Sequence, residues 1–242
     1  SFFKMGICTQ EYWKFVYICD KMDAGFFYWP ACSACFYMKY ETVLERQIGE
    51  MKNITVKDIV NATGGFLLCG DEDTPIKGLC IDSRKAQAGD LFIPLLGNKV
   101  DGHRFIEPAM ERASATLTSE HDNVVISEKP FIRVDDTMKA LQAIGKDIRG
   151  RYDIPYIGVT GSVGKTTTRE MIAAAVGTGR HCFQTNGNEN SQIGVPMTLS
   201  RMTDGYDAAV IEMGISEPGQ MEILSDICLL YTSPSPRDKR QS

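Results

Sequence analysis

The apolar pattern changes period several times along the chain. Residues 154–161, IPYIGVTG, form a nearly unbroken apolar run suited to a buried strand, and KTTTREMIAAAV behind it reads as a helix. HCFQT and DAAVIEMG read as two further strands, with VPMTLSRM and PGQMEILSDI as helices. Upstream, GLCIDSR and DLFIPLL predict strands, RFIEPAMERA a helix, then ATLTSE and PFIRVDD strands. Over residues 137–152, Met138, Leu141, Ile144 and Ile148 recur at spacings of three and four, which predicts a helix joining two units. Before these units, MKNITVKDIVNATGG gives a short strand-like start and a helix closed by Gly64 and Gly65. The expected architecture is α/β: a small amino-terminal α/β domain over residues 51–136, the helix 137–152, and a mostly parallel, incomplete P-loop-type central domain over 153–227.

The two ends differ in character. Met51 opens a natural-looking start, and Gly49 and Glu50 suit a purine-rich ribosome-binding run, so residues 1–50 are expected to be translated upstream sequence. Residues 228–242, with CLLYTSPSPRD, follow a helix without a stop signal and resemble a translated sequencing adapter; they are set aside from the fold. Residues 51–227 hold 18 basic and 24 acidic residues, a net of −6. No basic stripe is present, which argues against nucleic acid as a partner. The longest uncharged run, residues 24–38, is 15 residues long and contains Pro30, too short to span a bilayer. Among the eight cysteines, Cys32 and Cys35 form one C-x-x-C pair, but Cys8 and Cys19 supply no second, so free cytosolic thiols are expected over a zinc site. The chain is read as cytoplasmic and monomeric.

Chemistry concentrates in GVTGSVGKTTTREM, residues 158–171. The general phosphate-loop spacing requires glycine at 159, where Val159 stands. Gly161 and Gly164 nevertheless permit a tight turn that exposes backbone N–H groups at a helix start, where an anion is favoured. Lys165 is then placed to reach β- and γ-phosphates and the Thr166 hydroxyl to ligate magnesium. Glu212, closing DAAVIEMG, reads two ways: a carboxylate holding a metal that bridges phosphates, or a strand-end glutamate facing solvent. Asn98, Lys99, Val100 and Asp101 match the guanine-reading N-K-x-D signature. That motif precedes the phosphate loop and no D-x-x-G follows Lys165, so a circularly permuted GTPase is a remote alternative.

These segments resemble the Mur ligases, most closely their MurF branch, over about residues 51–227. The family loop T-G-x-x-G-K-T-[ST] fits TGSVGKTT, residues 160–167, so Val159 is no defect, and Ser162 and Val163 resemble the MurF spelling. The resemblance implies ATP binding by Gly161, Ser162, Val163, Gly164, Lys165, Thr166 and Thr167. Through NGNENSQIGVP it adds Asn188 and Asn190, with Ser191 standing where a second asparagine is usual. It makes Glu212 and Thr166 the magnesium ligands, Lys165 and Glu212 the catalytic pair, and Ser83, Arg84 and His103 contacts to the UDP part of the substrate. The implied reaction is ATP-dependent amide formation: the carboxylate of UDP-MurNAc-tripeptide becomes an acyl phosphate, which the amine of D-Ala-D-Ala attacks, giving ADP and phosphate. The family's later histidine-bearing central segment and its carboxy-terminal domain have no counterpart here, so an inactive fragment is expected. Two alternatives stay open: a Mur ligase that adds a single amino acid, and a non-catalytic nucleotide-binding fragment.

Overall fold

The computed structural model describes residues 4–9, 12–18, 54–97, 100–121 and 127–230, with the backbone alone for the first two segments. The Cys32 and Cys35 pair, Asn98 and Lys99 of the N-K-x-D match, and residues 231–242 lie outside the described residues.

In chain order the elements are β1 (Lys4–Thr9), β2 (Tyr12–Ile18), β3 (Ile54–Thr55), α1 (Val56–Thr63), β4 (Phe66–Cys69), β5 (Pro75–Ile76), β6 (Gly78–Cys80), β7 (Asp90–Phe92), α2 (Ile106–Met110), β8 (Ala115–Thr118), β9 (Phe131–Arg133), α3 (Thr137–Gly150), β10 (Tyr156–Thr160), α4 (Lys165–Val176), β11 (Cys182–Gln184), α5 (Gly194–Leu199), β12 (Ala208–Glu212) and α6 (Gln220–Ile227). Local chemistry sets several boundaries. A capping box starts α1: Asp58 N–H reaches the Thr55 hydroxyl at 3.5 Å and Thr55 N–H donates to the Asp58 carboxylate at 2.8 Å. Gly64, at φ 66°, ends it in the left-handed region that a side chain would resist. Asp136 starts α3 by accepting the Met138 and Lys139 N–H groups at 2.8 and 3.0 Å.

Two five-stranded sheets result. The first has order β4-β9-β8-β7-β6, parallel except at β4. The second has order β1-β2-β10-β12-β11, with β10, β12 and β11 parallel and the β1-β2 hairpin antiparallel against β10. The mixed α/β, mostly parallel architecture agrees with the expectation from sequence. DLFIPLL is shorter as a strand than the apolar run suggests, ending at Phe92. The run beyond it leads to an isolated bridge between Leu96 and Asp101.

Period-two alternation sorts each strand between cores. Ala209 and Ile211 of β12 face the large core, whereas Ala208 and Val210 face a smaller one shared with Ala173 and Val176 of α4. Likewise Leu91 enters the large core, while Phe92 packs with Ile106 and Ala109 of α2. The large core takes in residues of both sheets together with Leu141, Ile144 and Ile148 of α3, which packs against α1, α5 and α6. Arg149 at the end of α3 ties that helix to the second unit: its Nε donates to the Cys228 carbonyl at 2.9 Å, and its guanidinium lies 3.8 Å from the Tyr156 ring centroid. Cys228 and Leu230, set aside on sequence grounds, are buried in the same core.

Candidate functional site

The carboxyl ends of β10, β11 and β12 meet at one edge of the second sheet, the position where parallel α/β sheets receive ligands. From β10 the chain enters the loop 161–164. Gly161 stands at φ 153° and Gly164 at φ 72°, and Gly164 caps α4 in a left-handed conformation. Ser162, Val163, Gly164, Thr166 and Thr167 are exposed, so the loop and first helical turn open to solvent. Lys165 folds back over the loop, its Nζ donating to the Gly161 carbonyl at 2.9 Å. A free helix start, a flexible cation and three exposed hydroxyls, on Ser162, Thr166 and Thr167, make an arrangement suited to a phosphate.

Glu212 pairs in register with Val159, one strand from the loop. Its side chain is 2% exposed, which removes the solvent-facing reading. Oε1 accepts from Asn190 Nδ2 at 2.8 Å and Oε2 from Arg169 Nη1 at 3.1 Å, while its backbone N–H donates to Thr185 Oγ1 at 2.9 Å. Asn190 is fixed in turn, because its carbonyl accepts the Gly214 N–H at 2.7 Å and a Cβ on Gly214 would lie 2.8 Å from its amide oxygen. Asn188 is exposed nearby in the chain. Ser191 accepts the Gly194 N–H at 3.1 Å and so helps start α5.

Sequence reasoning missed Arg169 and Thr185. For Arg169 a signal was available: it shares the inward face of α4 with Ala173 and Val176, and an arginine on a buried face demands an internal anion. Thr185, immediately after β11, carries no comparable mark.

The three residues expected to contact UDP lie at the first sheet. Asp82 accepts the Arg84 backbone N–H at 3.2 Å and grips its guanidinium in a two-pronged pair, Nε and Nη2 each at 2.8 Å. These bonds hold the Asp82 carboxyl down at about 2. Arg84 remains 86% exposed, with Ser83 beside it half-buried at the start of a short 3-10 turn. His103 is buried differently. Ser119 N–H donates to its Nε2 at 3.0 Å, so Nδ1 carries the proton and donates to Asp101 at 2.7 Å. The backbone and ring bonds from His103 hold the Asp101 carboxyl below its usual range. Asp101, His103 and Glu120 place ligand-type atoms within 4.8 Å of one another. With both His103 nitrogens engaged, this group has no free imidazole lone pair to offer a metal.

The sheet, loop and helix start define a P-loop-type α/β unit joined to a second α/β unit. Family models sharpen the class: the Mur ligase middle domain matches residues 159–232, and the Mur ligase family catalytic domain matches residues 75–149. The chain belongs to the Mur ligase family. It is 41% identical over 173 residues to the UDP-N-acetylmuramoyl-tripeptide–D-alanyl-D-alanine ligase of Bacillus subtilis (strain 168), covering 71% of this chain and 38% of the relative. The corresponding ligase of Synechocystis is 40% identical, covering 64% and 35%. Crystal structures of MurF from Acinetobacter baumannii and of MurF from Thermotoga maritima in complex with ADP superpose with TM-scores of 0.65 and 0.57 at 29% and 30% identity. They cover 72% and 64% of this chain, and 38% and 35% of those structures. The chain thus spans little more than a third of the length of these relatives.

Proposed function

We propose that this chain is part of an ATP-dependent ligase of peptidoglycan precursor synthesis, which joins D-alanyl-D-alanine to UDP-MurNAc-tripeptide through an acyl phosphate and releases ADP and phosphate. The observation that carries this reading is the TGSVGKTT loop, open at the end of β10 with a buried glutamate one strand away, in a chain 41% identical to a ligase of that name.

Backbone N–H groups of residues 161–167 bind and orient the phosphates, and Lys165 exchanges its bond to the Gly161 carbonyl for phosphate oxygens. Asn188 and Asn190 border the same nucleotide. Thr166 and Glu212 would hold magnesium. Hydroxyl and carboxylate oxygens are the hard donors that ion prefers, and a carboxylate with one partner on each oxygen keeps further lone pairs. When bound, the ion offsets charge on the transferring phosphoryl group. Ser83 and Arg84 receive the UDP part of the substrate, the exposed guanidinium suiting a diphosphate. His103 shapes that site by anchoring the Asp101 turn to Ser119.

The chain's own residues supply binding and orientation, which account for much of the rate in phosphoryl transfer. Calorimetric titration of the 242-residue chain with ADP and with UDP-MurNAc-tripeptide tests the reading. Both ligands should bind, and Lys165→Ala should weaken ADP by roughly 10- to 100-fold while sparing the UDP ligand. Failure of ADP to bind the unsubstituted chain would refute the nucleotide assignment. In the whole protein, ADP release that requires both UDP-tripeptide and D-Ala-D-Ala identifies the reaction; release with a single amino acid instead of the dipeptide would point to a sister ligase.

A further inference from the structure

Arg169 lies one turn into α4, four residues beyond Lys165, with its side chain 6% exposed. Nη1 donates to two acceptors on different elements, the Gly187 carbonyl at 3.0 Å and Glu212 Oε2 at 3.1 Å. Nη2 reaches Glu170 at only 3.4 Å, and the buried Nε has no hydrogen-bond partner. A guanidinium removed from water with one donor unmet is an expensive way to fill space between a helix and a sheet. An aliphatic side chain would pack there at lower cost, so the cation's value lies in what it holds. It holds one end of the Glu212 carboxylate while Asn190 holds the other, which fixes the orientation of the group. Through Gly187 it also ties the loop 186–190 to the helix that begins at the phosphate loop.

We propose that Arg169 is a positioning residue: it locks the Glu212 carboxylate in the orientation that receives a divalent cation and makes α4, the loop 186–190 and the end of β12 one unit. The proposal rests on the reading of Glu212 as a metal ligand. A second possibility on the same contacts is competition, with Arg169 occupying the carboxylate at the metal's expense, and it predicts the opposite sign.

The test is a magnesium titration of the 242-residue chain at fixed fluorescent ADP, comparing the unsubstituted chain with Arg169→Met, Arg169→Lys and Glu212→Gln. Removing a residue that orients a metal ligand weakens metal binding by roughly 10- to 100-fold. Arg169→Met should therefore raise the magnesium midpoint by that factor while leaving ADP affinity in EDTA within about twofold of the unsubstituted chain. Arg169→Lys, which keeps the charge on a shorter stem, should fall between them. Glu212→Gln should abolish the magnesium response, and adding Arg169→Met to it should change nothing further, because the two act through one group. An unchanged midpoint in both Arg169 variants overturns positioning in favour of a structural brace, and a lowered midpoint overturns it in favour of competition. Should Arg169→Met fail to fold, the Arg169→Lys midpoint decides between the same outcomes. If the unsubstituted chain shows no magnesium response, or Glu212→Gln retains it, the metal reading of Glu212 falls and this proposal with it; loss of the response in Glu212→Gln with Arg169→Met unmoved overturns the Arg169 role alone.

Discussion

The two sheets present their candidate ligand residues in opposite ways. On the first, the charged groups are already paired among themselves: Arg84 is gripped by Asp82, and His103 is held between Asp101 and Ser119. On the second, the loop that would meet phosphate is exposed and held by few bonds, while the paired charges lie behind it in the buried set of Glu212, Arg169 and Asn190. A ligand at the first sheet must share partners that exist beforehand. At the second it meets open N–H groups, and the cost of order has been moved one layer inward. Pre-formed support behind an open contact surface is how a site combines access with fixed geometry.

Substitutions can break this contrast at several depths. The largest effect is expected at Leu141, fully buried in the core that α3 shares between both sheets. Leu141→Ala should cost about 2–5 kcal/mol and lower the urea midpoint of both units together, measured by fluorescence and by proteolysis of each half. If one half melts alone, the shared core does not couple them. His103→Ala comes next. It leaves the Ser119 N–H and the Asp101 carboxylate without their partners, and should cost about 1–3 kcal/mol in urea denaturation while ADP binding at the second sheet stays unchanged. The smallest effect concerns Asp82. Its carboxyl, held at about 2 by the Arg84 bonds, is depressed below the unfolded value, so whatever the pair contributes is present above the ordinary aspartate range and lost as pH falls toward 2. Carboxyl-carbon NMR should give a midpoint near 2 for Asp82, returning toward the ordinary value in Arg84→Ala, with no measurable change in melting temperature for a pair this exposed.

A thiol experiment separates surface from core in the same spirit. Burial pushes Cys228 up to about 12 and Cys182 to about 11. Since the thiolate is the reactive form, iodoacetamide at pH 8 should leave both unmodified in the folded chain and modify them only in denaturant, read by peptide mass spectrometry.

Much of the fold was legible because period and punctuation agree. The strand-loop-helix of 154–176 announces itself through an apolar run, two glycines and a helical stretch, and the structure places each element within a few residues of the expected span. The helix over 137–152 follows from four apolar residues, all of them half-buried or buried. What misled was composition without context. DLFIPLL is apolar from Leu91 onward, yet its strand ends at Phe92, and its last residues lead into the Leu96 bridge to Asp101. Cys228 and Leu230 follow a helix with no capping signal, yet they pack in the large core. At the candidate site, Lys165, Thr166 and the glycines were readable because they are contiguous, whereas the partners of Glu212 come from positions 169, 185 and 190.

By itself the sequence determined the α/β alternation, the loop at residues 161–167 and the resemblance that brought Glu212 forward, because each depends on neighbours along the chain. Only the tertiary structure decided that Glu212 is buried, that Arg169 is its counter-ion and that His103 is spent on Asp101 and Ser119. Those outcomes depend on which strands become neighbours and which faces lose water, and burial then makes a partner obligatory for every charge. Spacing along a chain can nominate such residues, but the pairing is settled by the sheet order that sets β12 beside β10.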